Sequence, residues 1–545
     1  MKQRIYYLYV VSFFSALLIF SGCQNTLQYA IPGSAQDSGK IKNLILVVGD
    51  GMGPQSVGLL NAYAKYAPHS IYRDKGRRTA LEKLIEKGTL GYAYHEAAYV
   101  LVTDSAASAT QIASGKRALS ETIGIDQYGS PTETILEKAK KIGKSTGLVS
   151  DTRLTHATPA AFASHQPHRS KENAIAVDLL YNNVDVMLSA GLLHWIPQEA
   201  NNEDSPINKQ LKKLTGGHMK IQSKRKDNRN LLNEAVELGY TLAFTKDQLE
   251  YAQGNRLLGL FGTSDLPYGI DFDVNEPGRT IPSLKEMTMK ALGILSKNEN
   301  GFFLLVESGL IDWTSHDNDT GALLHELIKF DETLACIYEW VKKRNDTLLI
   351  VTADHETGGF SFSFSRRNVP QPINFPGELF RGVEFAPQYN FGSYDILDKI
   401  YTQKMSYVKM MKAFDALPQD NRTPEALADI VNAHTEFPIT TSEASRILAT
   451  EENEYYIEGH PKLGKKIVPK IDDFKTFYHD HKRMRNALLG RVVAQQQNTV
   501  WSTGTHSNTP VPLIAVGPKK ATEVFSRMLH TTEWAQYAIE ILINE

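Results

Sequence analysis

The chain is poor in cysteine. Cys23 and Cys336 are the only two among 545 residues, so no disulfide framework staples the fold. It lacks a dominant charge as well: 59 Lys and Arg stand against 61 Asp and Glu, a formal net charge of −2. That balance gives no basic surface for nucleic acid as a specific partner, nor for polybasic attachment to a membrane. Internal repeats and low-complexity tracts are absent. Long apolar runs are missing too, and the longest, Tyr6 to Phe20, is short for a bilayer span. What is there, 42% hydrophobic and 22% charged residues, is globular composition, and the length suits one large α/β domain with insertions.

Lys2 and Arg4 precede the Tyr6–Phe20 run, and Ser21-Gly22-Cys23 follows it. A charged region, an apolar core and small residues at a cleavage point make residues 1–22 a signal peptide. The junction resembles a bacterial lipobox, in which Cys23 is lipidated and becomes the mature N-terminus. Residues 23–40 are polar with Gly and Ser and read as a flexible tether. The expectation is an exported protein of the bacterial cell envelope or periplasm, meeting a membrane only through its N-terminal lipid anchor. Cys336, in the helical pattern Leu334-Ala-Cys-Ile-Tyr338, reads as a buried small hydrophobe.

Beyond the tether, short β-branched runs alternate with amphipathic segments. Strands are predicted at Lys42–Gly49, Thr146–Ser150, Val184–Gly191, Leu257–Phe261, Gly301–Val306, Thr347–Thr352 and Pro512–Val516. Helices are predicted at Leu81–Lys87, Thr132–Ile142 and Glu172–Asn182. The alternation predicts an α/β fold over 41–545: a doubly wound, mostly parallel central sheet with helices on both faces. Residues 361–497 break the rhythm. They hold polar loops (Pro370–Gly392) and helical patterns at Tyr394–Leu417, Pro424–Glu436 and Ser442–Thr450, and are expected to form an inserted lid, crown-like or interface subdomain.

Three apolar strands run into acids: Asp50, Glu307 and Asp354. Ligands of such sheets bind beyond the carboxyl ends of the strands. Three carboxylates at one edge repel unless a cation lies between them. Asp312 and His316 stand four apart, on one face of a helical turn, as two ligands of a transition metal do. His355 follows Asp354, and His506 lies in Trp501-Ser-Thr-Gly-Thr-His-Ser-Asn508. Histidine with Asp suits zinc, whereas Asp, Glu and Thr oxygens alone suit magnesium. In Val102-Thr-Asp-Ser-Ala-Ala-Ser-Ala-Thr110 the apolar approach Tyr99–Val102 leads to Ser105 at the start of a small-residue helix. A hydroxyl there is either an N-cap or a nucleophile beside an anion site.

These stretches together resemble the alkaline phosphatase family. The resemblance rests on Asp50-Gly-Met-Gly53, Thr103–Thr110, His156-Ala-Thr-Pro-Ala-Ala161, Val306–His316, Val351–Gly359 and Trp501–Pro512, which occur in the family's order. It implies hydrolysis of phosphate monoesters through a phosphoserine on Ser105, with two zinc ions and one magnesium ion per subunit. Asp312, His316 and His506 would hold the first zinc. Asp50, Asp354, His355 and the Ser105 oxygen would surround the second. Asp50, Thr158 and Glu307 would hold magnesium, and Arg169 would clamp the phosphate. The resemblance also favours a homodimer. The resemblance places Trp313 and His156 just behind the metal ligands, at positions that are Lys and Asp in some members and His or Trp in others. No ammonium therefore approaches the phosphate from position 313, and an imidazole at 156 tilts the third site toward zinc. Two rivals stay open: a diesterase or mutase of the same metal-hydrolase superfamily, and a phosphate- or metal-binding protein without turnover.

Overall fold

Asn43–Gly49 (β1) is buried at every one of its seven positions, so both faces of the strand are covered. The computed structural model describes residues 40–272, 276–478 and 480–544. The expected signal peptide, Cys23 and the expected tether up to residue 39 lie outside them. β1 pairs in parallel with Phe302–Ser308 (β7) on one side and Thr347–Thr352 (β8) on the other. Thr89–Tyr94 (β2), Ser145–Arg153 (β3), Val186–Ala190 (β4), Thr241–Ala243 (β5), Leu257–Leu260 (β6), Val511–Val516 (β9) and Met528–His530 (β10) complete a ten-stranded sheet. Its order is β10-β2-β9-β8-β1-β7-β3-β4-β6-β5. The three strands that end in carboxylates are therefore adjacent at its centre.

β9 alone runs against the rest, antiparallel to both β8 and β2. That reversal matters for the site. His506 precedes its strand, whereas Asp50 and Asp354 follow theirs, and only an antiparallel β9 brings all three to one edge.

β2, β5 and β10 escape a reading by hydrophobic pattern. In β2 the small residues Gly91 and Ala93 face inward, while Leu90, Tyr92 and Tyr94 are the exposed ones. A Cβ on Gly91 would lie 2.1 Å from the Phe525 carbonyl oxygen, so the close approach demands glycine. The apolar alternation thus points the wrong way.

Three other expectations shift. The helix predicted at Thr132–Ile142 spans Ile135–Lys141, because the Thr134 side chain caps it and Glu137 completes a capping box. Tyr394–Leu417 divides into helices at Asp395–Tyr401 and Tyr407–Asp415. At the break, two carboxylates from outside the segment take the second helix's first groups: half-buried Asp271 accepts from the Ser406 hydroxyl at 2.6 Å and buried Asp319 from the Tyr407 N–H at 2.7 Å. Cys336 is half-buried, on the flank of the Thr320–Val341 helix rather than in the core.

Within residues 361–497, Pro424–His434 and Thr441–Leu448 form the other two expected helices, and Met484–Gln497 adds one that the pattern did not indicate. The 361–394 stretch is largely exposed and rich in aromatics, with a two-stranded ladder pairing Ile373 and Asn374 with Phe385 and Glu384.

Candidate functional site

The centre of the sheet edge gathers nearly every charged group singled out above. Asp50 follows β1 and is fully buried. Glu307 belongs to β7, level with Val48 of β1 and Ser150 of β3. Its Oε2 accepts from the Ser150 hydroxyl and, at 3.2 Å, from Thr152. Asp354 and His355 leave β8, and the Asp354 carboxylate accepts from the Gly51 N–H at 3.1 Å. Gly51 has φ +71°, and a Cβ there would strike the Asp312 backbone at 2.8 Å. Only glycine lets the β1 turn pass this closely.

Asp312 and His316 share a face of the Leu310–His316 helix, with His316 Nε2 3.3 Å from Asp312 Oδ2. The tautomers follow from the neighbours. His316 Nδ1 lies 2.7 Å from the Gly504 carbonyl, and His506 Nδ1 lies 2.9 Å from the Thr103 carbonyl. A carbonyl only accepts, so both Nδ1 atoms carry the proton. The two Nε2 lone pairs then face each other at 3.2 Å, with Asp312 Oδ1 3.7 Å from His506 Nε2. Two lone pairs and a carboxylate aimed at one point describe a cation site.

The same logic reaches His355. Thr357 donates its hydroxyl to Asp312 Oδ1 at 2.5 Å, so it accepts from His355 Nδ1 at 3.3 Å. His355 Nε2 then turns its lone pair toward Ser105 Oγ (3.2 Å), Asp354 Oδ2 (3.2 Å) and Asp50 Oδ1 (3.7 Å). Thr357 therefore orients ligands of two neighbouring sites. It lies inside a quoted motif, yet nothing in its type or spacing marks that role.

A third cluster lies deeper. Asp50, His156 and Glu307 present ligand atoms all within 4.8 Å of one another, as do Asp312, His316 and His506, and Asp50, Asp312 and His355. Both Asp50 oxygens, Glu307 Oε1, His156 Nδ1 and Thr158 Oγ1 are buried without a hydrogen-bond partner. Orphaned buried donors and acceptors of this kind are costly unless something satisfies them together. Burial, then Asp354, Asp312 and Glu307, pushes the Asp50 carboxyl well above the usual range. Burial, then Asp312, pushes Asp354 up to about 7, and burial brings His506 down to about 4. The electrostatics ask for positive charge, and this donor set of carboxylates, imidazoles and a hydroxyl fits divalent cations.

Ser105 is the first residue of the Ser105–Ser114 helix, and Asp104 is its N-cap, accepting from the Ala106 N–H at 3.0 Å. The capping role thus falls to Asp104, which frees the Ser105 hydroxyl. Arg169 is brought alongside. Its Nη1 donates to Asp104 Oδ2 at 3.0 Å, and its Nη2 lies 3.3 Å from His156 Nε2. Trp313 stands edge-on to His156, ring centroids 5.8 Å apart. Tyr99–Val102, the apolar approach, is an exposed loop in which Tyr99 has φ +67°.

A family model described as "Alkaline phosphatase" matches residues 41–542. Alkaline phosphatase 4 of Bacillus subtilis is 28% identical over 99% of this chain and 97% of its own length. Alkaline phosphatase 3 of the same organism is 30% identical over 93% and 92%. Among solved structures, the Thermus thermophilus alkaline phosphatase superposes with a TM-score of 0.68 at 25% identity, covering 97% of this chain and 96% of that one. The cold-active enzyme of a Shewanella species gives 0.65 at 25% identity, over 92% and 99%.

Proposed function

The chain belongs to the alkaline phosphatase family and hydrolyses phosphate monoesters, and from that premise we propose that Ser105 is its nucleophile and Arg169 its phosphate clamp. The single observation behind the reading is the 3.2 Å approach of Ser105 Oγ to His355 Nε2 at the edge of the carboxylate cluster. Asp312, His316 and His506 hold one zinc ion. Asp50, Asp354 and His355, with the Ser105 oxygen, hold a second. Asp50, Thr158 and Glu307 hold magnesium, with His156 near enough to add a nitrogen. When bound, these cations neutralise the carboxylates, favour the alkoxide form of Ser105 and offset charge on the departing alcohol.

The chain's own groups do the rest. Ser105 Oγ attacks phosphorus, the ester P–O bond breaks, and the alcohol leaves with the bonding pair and takes up a proton. Water then cleaves the phosphoserine, releasing inorganic phosphate and restoring the Ser105 hydroxyl. Asp104 already occupies the Ala106 and Ala107 N–H groups, so charge on the non-transferring oxygens is left to a side chain. Arg169 offers them a planar fork, which the Asp104 carboxylate holds in place. The His156 nitrogen favours a transition metal at the third site. Metal analysis of wild type and His156→Asp tests this: the variant should hold more magnesium relative to zinc, and an unchanged ratio refutes it.

The test of the main reading is phosphate release from p-nitrophenyl phosphate by wild type and Ser105→Ala, with and without chelator. Activity in Ser105→Ala within tenfold of wild type overturns it. A methyl diester turned over as fast as the monoester favours the diesterase rival. Export and lipid anchoring through Cys23 rest on Ser21-Gly-Cys; labelled fatty acid should enter wild type and not Cys23→Ser. Assembly as a homodimer is tested by sedimentation of the purified chain, where a monomer at micromolar concentration speaks against it.

A further inference from the structure

The inserted segment reaches the first cation site from outside. At the N-cap of the Met484–Gln497 helix, Arg483 Nη1 donates to the Trp313 carbonyl and to Asp317 Oδ2, both at 3.0 Å. Its guanidinium carbon lies 5.4 Å from the centre of the Trp313 ring. Trp313 O belongs to the last turn of the Leu310–His316 helix; it accepts the Asp317 N–H at 3.1 Å, and Arg483 adds a second, charged donor at the helix end where a cation is favoured. One side chain thus closes the end of the helix that carries both Asp312 and His316.

Asn486 on the same segment, and Tyr268 from outside it, reinforce the grip. Asn486 donates to Asp317 Oδ1 at 3.0 Å, and Tyr268 donates to Asp317 Oδ2 at 3.0 Å. Asn318 ties the helix end to the His506 loop, donating to Ser315 O at 2.9 Å and to Thr503 O at 3.0 Å. A Cβ on Gly490 would lie 2.3 Å from Asn318 O, so the inserted helix packs directly against this turn. The Phe477 carbonyl accepts from the Gly504 N–H at 3.2 Å, and Gly504 O is the acceptor that orients His316. The carbonyl that orients His316, and with it the loop leading to His506, is thus held by Phe477, while Gly490 packs on the turn beside it.

We propose that Arg483 is a positioning residue: by locking the last turn of the Leu310–His316 helix, it makes the inserted segment a structural part of the Asp312–His316–His506 cation site. The inference deepens the reading above and rests on it. Outer partners of metal ligands set ligand orientation, and their loss typically weakens binding by about 10- to 100-fold. Lysine is no substitute for the fork, since one ammonium on a flexible stem cannot hold carbonyl, carboxylate and ring face together.

The experiment uses the full chain stripped of metal, with zinc binding read by competition against a chromophoric chelator. Asp312→Ala identifies which zinc equivalent belongs to the first site. Arg483→Met should weaken that equivalent by about 10- to 100-fold and leave the other unchanged, and Arg483→Lys should recover part of the loss. Arg485→Met, which breaks an ion pair with Asp415 elsewhere on the inserted segment, should bind zinc as wild type does. Wild-type affinity in Arg483→Met overturns the proposal. So does equal weakening of both equivalents, or a matching loss in Arg485→Met, since either marks a general loss of structure. Wild type that binds no Asp312-dependent zinc instead refutes the site itself, a separate failure.

Discussion

The edge of the central sheet and the inserted segment obey different rules. At the edge, buried carboxylates and an imidazole present atoms that no protein partner satisfies: both oxygens of Asp50, one of Glu307, a nitrogen of His156. In the inserted segment the buried atoms without a partner belong to amide, phenol and imidazole groups, Gln403 Oε1, Tyr407 Oη, His481 Nδ1 and Gln497 Nε2, and none to a carboxylate among the described residues. Ser406, Thr423 and Thr440 cap their helices, and Thr440 with Glu443 forms a capping box. Its surface also carries exposed apolar side chains, with Leu379 94% and Phe391 65% exposed. Stability in one region is given up to prepare for a ligand, while the other caps its helices with its own hydroxyls. The two meet at Arg483 and Asp319.

The largest test of this contrast removes what the edge is prepared for. A chelator should abolish turnover and lower the melting temperature, and zinc with magnesium should restore both, because ions that bind only the folded state stabilise it. A melting temperature unmoved by chelation would mean that the edge satisfies its own charges. Next, Ser105→Ala should lower the rate of p-nitrophenyl phosphate hydrolysis on the order of 10⁴-fold or more while leaving the zinc equivalent of Asp312, His316 and His506 bound. Thr357→Val, which removes the hydroxyl shared by Asp312 and His355, should weaken zinc binding by about 10- to 100-fold, and Thr357→Ser should recover most of it.

The remaining two tests concern stability. Phe303 is fully buried and stacks on Phe162, and its change to Ala should cost about 3–5 kcal/mol in denaturant unfolding. Phe375, 48% exposed on the inserted segment, should cost about 1 kcal/mol or less. Equal losses would erase the distinction between the regions. The smallest effect is at the junction. Burial pushes the Asp319 carboxyl up to about 7, although the N–H groups of Ala322 and Tyr407 and the Gln403 amide pull against it. A raised folded value favours the protonated form. This contribution to stability is therefore complete below the unfolded value of about 3.9 and is lost as pH climbs through about 7. Asp319→Asn should flatten that part of the stability profile, and an unchanged slope between pH 4 and 7 would refute the assignment.

Much of the edge was legible in the sequence because its chemistry is written in short stretches. A strand that stops at Asp50, an Asp–His pair four apart at 312 and 316, and Asp354-His355 each carry their signal within a few residues. The sheet was legible wherever apolar residues face the core. It was hidden in β2, where Gly91 and Ala93 face inward and tyrosines face out. The second layer of the site was hidden for another reason. Thr357, Asp104, Arg483 and the carbonyls of Thr103 and Gly504 act through one atom each, placed by chain segments far apart.

Residue types and local spacing by themselves determined the donors: which carboxylates and imidazoles exist, and that each lies at the end of a strand or on one helical face. Only the tertiary structure decided that β9 runs backward to deliver His506, that Asp104 caps the helix in place of Ser105, and that the inserted segment braces the first cation site. The division has a physical cause. A ligand's chemistry is a property of its own side chain, whereas its tautomer, direction and charge state are set by neighbours that folding alone brings within about 3 Å, the length of a hydrogen bond.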